Sequence, residues 1–98
     1  MIVHDNPAGK ITRGTIVVYS GVIAGPGMAD WYWRAKARNG STLAQGEGYA
    51  RRDRCLSTLD SLFGTRSTFF DLGKAPVTPW RLVVEKRDGT VDWIGQIQ

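Results

Sequence analysis

Residues able to act as nucleophiles, bases or metal ligands are few and scattered along this chain of 98 residues. It has one His, His4, and one Cys, Cys55. Two such residues cannot close a His/Cys zinc site, and one Cys cannot build a disulfide framework. A Cys55–His4 nucleophile–base pair would need hydrogen-bond reach between them. His4, however, falls in a segment punctuated by Pro7, Gly9 and Gly14, whereas Cys55 falls on an apolar stripe where a small thiol packs. Carboxylates for acid–base work would have to come from Glu47, Asp53 and Asp60, which no spacing brings together. Gly25-Pro26-Gly27 and Gly46-Glu47-Gly48 lack the Lys-Ser/Thr helix start of a phosphate loop. The inventory predicts no enzyme, no cofactor and no metal.

What remains is surface chemistry. The formal charge is +4, from 13 Lys and Arg against 9 Asp and Glu. Residues 31–54 hold Arg34, Lys36, Arg38, Arg51, Arg52 and Arg54 against Glu47 and Asp53, so the whole excess lies in that stretch. Such an asymmetry points to a partner surface.

The elements that carry these groups follow from periodicity. Thr15 to Ile23 is rich in β-branched residues and reads as a strand, with Gly21 as a candidate bulge and Ala24 to Gly27 as the turn after it. From Asp30 to Asn39, Trp31, Trp33, Ala35 and Ala37 alternate with Tyr32, Arg34, Lys36 and Arg38. That period of two separates an apolar face from a basic one. Asn39-Gly40 predicts a type I′ hairpin turn into a strand over Ser41 to Gly48. Cys55, Leu56, Leu59, Leu62 and Phe63 then define a helix from Arg51 to Phe63, with Gly64 placed as a left-handed cap. Pro79 to Lys86 and Thr90 to Ile97 flank Arg87-Asp88-Gly89, a second hairpin. The fold class is α+β, in the order β-β-β-α-β-β, with an antiparallel sheet carrying one amphipathic helix on one face. Residues 1–98 read as a single domain. It comprises a loose arm or short edge segment over 1–14, a β-β-β-α unit over 15–64, a connection over 65–79 in which Phe69, Phe70 and Leu72 pack down, and the hairpin over 80–98.

Trp33-Arg34-Ala35-Lys36-Ala37-Arg38-Asn39-Gly40, Leu43-Ala44 and Glu47-Gly48-Tyr49 resemble the YegP-like family of small bacterial proteins of unknown function. The resemblance covers about residues 15 to 64. Members of that family carry a repeat of roughly fifty residues, and many carry two in tandem. Here the helix begins at Ala50-Arg51-Arg52 where the family usually has Ser-Ser-Lys, and the first turn is longer. Trp80-Arg81 and Arg87-Asp88-Gly89-Thr90 echo Trp33-Arg34 and Arg38-Asn39-Gly40-Ser41, with the second interval two residues longer. Convergent hairpin chemistry and a worn second repeat both account for the echo. The resemblance implies a fold and supplies no catalytic residues.

The functional expectation is a non-catalytic binding module acting through protein–protein association, as a homodimer or as a phage or mobile-element accessory protein. Arg outnumbers Lys by nine to four, which is compatible with a GC-rich bacterial or phage genome. Trp80 and Trp93 are the candidate association surface. The alternative is nucleic-acid binding through Tyr32, Arg34, Lys36 and Arg38 together with Arg51 and Arg52 at the helix start, since Arg bridges phosphates and Tyr stacks on bases. Three strands and a helix also describe the DNA-binding domains of plant ethylene-response factors and the amino-terminal domain of tyrosine integrases, whose exposed sheet face enters the major groove. A solvated outer strand face reads the same way in sequence. The longest apolar run, Ile16 to Tyr19, is four residues, far below the roughly 18 a membrane span needs. With no basic-then-apolar leader at the amino terminus and an unpaired thiol, the expected location is the cytoplasm, or the host cytoplasm for a phage-encoded protein.

Overall fold

Alternation of apolar and polar residues decides where the strands lie and which way they face. The computed structural model describes residues 1–21, 30–64 and 78–98. In it β1 (Ile2–Val3), β2 (Gly14–Ser20), β3 (Trp31–Ala37), β4 (Thr42–Tyr49), α1 (Arg52–Phe63), β5 (Trp80–Glu85) and β6 (Val91–Ile97) follow one another. The strands form one sheet in the order β1-β6-β5-β2-β3-β4. The α+β class is as the periodicity predicts, but the sheet is mixed: β5 runs parallel to β2 and every other pair is antiparallel. After α1 the chain returns on the far side of β2 instead of extending from β4, and only that placement makes the central pair parallel.

One face of the sheet carries the core. Ile16, Val18, Trp31, Trp33, Ala35, Leu82, Val84 and Ile97 are buried there against Cys55 and Leu59 of α1. Leu56 and Phe63 pack at the margin, while Leu62, expected on the same stripe, is exposed. Its position at the solvent edge of the stripe is beyond the reach of the sheet. Gly64 is extended (φ −68°, ψ 135°) and not left-handed, and its N–H still closes the last turn on the Asp60 carbonyl.

The arm is tied down. Val3 and Ile2 pair with Gln96 and Ile97, which makes β1 a short edge strand. His4 then stacks on Trp93 with ring centroids 4.1 Å apart, Pro7 is buried, and the Arg13 N–H donates to the Pro79 carbonyl. Two apolar residues give too short a run for periodicity to announce a strand. Gly21 marks a close approach and not a bulge, because β2 and β3 stay in unbroken register and a Cβ at Gly21 would run into the Tyr32 ring. The end of the first expected strand, the Gly25-Pro26-Gly27 turn and residues 65–77 of the expected connection lie outside the described residues.

The two hairpins are built alike. Gly40 N–H donates to Ala37 and Gly89 N–H to Lys86, with Gly40 and Gly89 at φ 89° and 88°. The Asn39 and Asp88 side chains accept the N–H groups of Ser41 and Thr90. Neither Asn39 nor Asp88 has positive φ. Each loop is therefore a type I turn closed by a left-handed Gly and not the expected type I′ turn. Trp33 faces Gly46 as Leu82 faces Gly95, and both ladders slip at the same step, Ala35/Lys36 and Val84/Glu85. A constant offset of 49 residues relates them, pairing Trp31 with Trp80 and Gly40 with Gly89. The echo therefore runs without a gap, and Trp80 corresponds to Trp31, not Trp33. In the sheet Val17 lies between Arg34 and its counterpart Val83. Half a turn about the sheet normal at Val17 carries β3–β4 onto β5–β6 in position and direction.

Candidate binding surfaces

The Asn-Gly and Glu-Gly-Tyr residues that carry the family resemblance prove to be scaffold. Gly46 has no side chain because the Trp33 indole occupies that space. Gly48, at φ 86°, sits where β4 slips a second time against β3, so that Trp31 pairs with Tyr49. This bulge, absent from the second hairpin, re-aims Tyr49 to the helix side. There the Tyr49 hydroxyl accepts a hydrogen bond from Trp33 Nε1 at 3.4 Å, and α1 begins three residues on. These glycines serve packing and chain direction, not phosphate binding.

The basic residues separate onto two sides of the sheet. Arg51 and Arg52 stand at the start of α1, on the core side. Arg51 pairs with Asp53 at 3.1 Å in solvent. Arg52 is committed within the chain: Nη1 lies 2.8 Å from Asp92 and donates to the Glu85 carbonyl, and its guanidinium covers the Trp31 ring at 5.7 Å. Arg87 lies over the same ring at 5.8 Å. The Arg-rich helix start that opposes the dipole is thus partly balanced by Asp92 and Asp53.

Tyr32, Arg34 and Lys36 lie on the opposite, open face, half-exposed, with Arg38 in the turn beyond them. The hairpin β5–β6 takes its place beside β2 within the sheet and does not lie over this row. Tyr32 stacks on Tyr19 with centroids 5.6 Å apart, and Arg34 lies over the Tyr19 ring at 5.6 Å while donating to its hydroxyl. Sequence reasoning missed Tyr19, although Tyr19 shares its strand parity with Thr15 and Val17, the less buried set. Two hollows adjoin at Tyr19. One, about 290 Å³, is bounded by Tyr19, Tyr32, Gln45, Gly46 and Glu47. The other, about 300 Å³, is bounded by Val17, Tyr19, Arg34, Lys36 and Glu85. Desolvation, followed by the Asp30 and Glu47 carboxylates, holds the Tyr32 phenol above its ordinary range. No salt bridge joins Arg34 or Lys36 to a carboxylate among the described residues.

Trp80 and Trp93, the candidate association surface, are half-buried and packed on the core, Trp80 edge-to-face with Phe63 and Trp93 beneath His4. Among the described residues the longest edge strand is β4, where Leu43 is 59% exposed.

Cys55 is fully buried, and burial pushes its thiol up to about 12. A thiol so far from its thiolate is a poor nucleophile. Among the described residues no group of three or more His, Cys, Asp and Glu could hold a metal, and no helix is long and apolar enough to cross a membrane.

The described residues form a small α+β scaffold, a six-stranded mixed sheet with one helix on one face. Residues 29–62 match the family model described as a domain of unknown function, DUF1508, which is the family of the YegP-like proteins, so the resemblance read from the Asn-Gly and Glu-Gly-Tyr motifs holds over that segment. No curated protein and no solved structure matches the chain.

Proposed function

We propose that this protein is a non-catalytic binding module that associates with another protein chain, a second copy included, by strand addition at β4. The supporting observation is the edge itself. β4 runs eight residues with Thr42, Leu43, Gln45, Glu47 and Gly48 exposed, and Glu47 is its sole charge. It has no Lys or Pro of the kind that normally blunts an edge, and between its bulges, one at Leu43 and one between Gly46 and Tyr49, Ala44 to Gly46 keep regular register. At the opposite edge β1 is two residues long and offers little to pair with. A phage or mobile-element accessory role is compatible with such a module. The test is light scattering coupled to size exclusion over a range of concentrations, with the Leu43→Lys/Gln45→Pro variant alongside. A dimer that becomes monomeric in the variant supports the reading. A monomer throughout, with no partner captured by wild type and lost by the variant, removes it.

A second reading is favoured by the Tyr19–Tyr32–Arg34 cluster, which combines stacking rings and a phosphate-binding cation on one open face. On this reading the module binds nucleic acid through Tyr32, Arg34 and Lys36. Arg51 and Arg52, on the far side of the sheet, take no part. A mobility shift in low salt, weakened by Arg34→Ala, tests it.

A further inference from the structure

The two hairpins offer an internal comparison that says which parts of the first are scaffold. At the core positions apolar character is kept across the 49-residue offset: Trp31/Trp80, Trp33/Leu82, Ala35/Val84, Ala44/Trp93 and Gly46/Gly95. At four open-face positions the paired residues differ in kind, and at a fifth the polar Glu47 corresponds to the polar Gln96. Tyr32 corresponds to Arg81, Arg34 to Val83, Lys36 to Glu85 and Gln45 to Ile94. A face whose only task was solvation would be polar in both hairpins. Here Val17, Val83 and Ile94 form an apolar strip that abuts Arg34, Arg81 and Gln96 stand beyond it on the β5–β6 side, and the Tyr19–Tyr32 ring pair gathers beside Arg34 and Lys36 on the β2–β4 side.

The geometry points to a site for unpaired nucleotides on this half of the face: single-stranded nucleic acid laid along β3, with phosphates at Arg34 and Lys36 and a base received beside Tyr19 and Tyr32. The inference rests on the nucleic-acid reading and narrows its ligand. Arg34 and Lys36, two residues apart, are separated by about 6.7 Å along the strand, comparable to the step between successive phosphates of an extended chain. The stacked Tyr19–Tyr32 pair forms one wall of the hollow that also holds Gln45 and Glu47, whose amide and carboxylate can meet the edge of a base. A neutral Tyr32 phenol there repels neither phosphate nor base.

The same surface fits the major groove of a duplex poorly. Six strands at about 4.8 Å spacing make a sheet roughly 24 Å across, twice the roughly 12 Å of a major groove. The face of β3 therefore cannot reach base edges held inside a helix, as the face of an isolated three-stranded sheet can. An extended strand brings its bases to the protein instead.

Fluorescence anisotropy with a labelled 12-nucleotide single strand and its duplex, in low salt, tests this. The expected result is binding of the single strand at least ten-fold tighter than the duplex, with a salt slope that falls in Arg34→Gln. Tyr32→Ala weakens single-strand binding about ten-fold or more, Tyr32→Phe retains it, and Arg51→Ala leaves it unchanged. Unchanged thermal unfolding of Tyr32→Phe and Arg34→Gln confirms that the fold survives. Equal or tighter duplex binding overturns the inference while the nucleic-acid reading stands. Absence of binding to both at about 10 μM protein, against usual non-specific affinities of about 10⁻⁴–10⁻⁶ M at physiological salt, overturns both.

Discussion

Arg52 and Asp92 join the start of the helix to the far end of the second hairpin, Nη1 to Oδ2 at 2.8 Å, with their side chains 32% and 30% exposed. Forty residues separate them in sequence, and the same guanidinium also roofs Trp31. The pair bridges the two hairpin-bearing halves that β2 joins through its ladders to β3 and β5. Removing Arg52 leaves Asp92 without its ion partner, whereas removing Asp92 leaves Arg52 with the Glu85 carbonyl and Trp31. Arg52→Ala and Asp92→Ala should each cost about 1 kcal/mol, with a coupling of about 0.5–1 kcal/mol in a double-mutant cycle read by denaturant unfolding. Additive losses would mean that Arg52 acts through Trp31 and the Glu85 carbonyl and not through Asp92.

Gly46 tests the scaffold reading of the Glu-Gly-Tyr region. A methyl group at this position meets the Trp33 indole, and the ring has nowhere to retreat because Phe63 packs edge-on against it at 5.5 Å. Gly46→Ala should destabilise the protein by about 1–3 kcal/mol and change the near-ultraviolet circular dichroism of the tryptophans. The exposed turn glycines have open space around them, so a similar change at Gly46 alone would separate crowding from backbone freedom.

Cys55 should be silent to a disulfide-exchange reagent in the native protein and react at once in denaturant. Burial raises its thiol to about 12 against an ordinary value near 9. A folded state that prefers the neutral thiol keeps this stabilisation below the unfolded value and loses it as pH climbs toward the folded one. Unfolding midpoints should therefore fall between about pH 9 and 12 in wild type and less steeply in Cys55→Ala.

The two turns provide their own control for pH. The Thr90 hydroxyl and N–H donate to Asp88 and hold its carboxyl below the usual range, helped by Lys86 nearby. Its contribution is present above the ordinary carboxylate pKa and disappears as pH falls through the lowered one. Asn39 makes the matching bond to Ser41 and does not titrate. In nuclear magnetic resonance titrations toward acid the Thr90 amide should shift, with an inflection below that of a free Asp, while the Ser41 amide stays still. In Asp88→Asn both should stay still.

The local elements were legible because each rests on a short-range rule. The strict alternation from Trp31 to Ala37, the Gly at each turn and the stripe of Cys55 and Leu59 all act within a few residues. They place β3, both hairpins and α1 within a residue or two, and they seat Trp31 and Trp33 in the core. The Asn-Gly and Glu-Gly-Tyr spacing likewise suffices to identify the matched family segment. Turn type escaped, because Asn39-Gly40 suits both a two-residue and a three-residue loop, and the bulge at Lys36 selects between them.

Tertiary structure decided everything that depends on where β5 goes. By pairing parallel to β2 it sets the two hairpins about Val17, ties Ile2 and Val3 into an edge strand, and packs Trp80 and Trp93 inward. It also brings Asp92 to Arg52, while α1, packed on the core face, divides a basic stretch that is continuous in sequence between two faces of one sheet. Charge counted along a chain carries no information about which side of a sheet each residue reaches. Strand parity assigns Tyr32, Arg34 and Lys36 their common face, but only the packed sheet brings Tyr19 beside them.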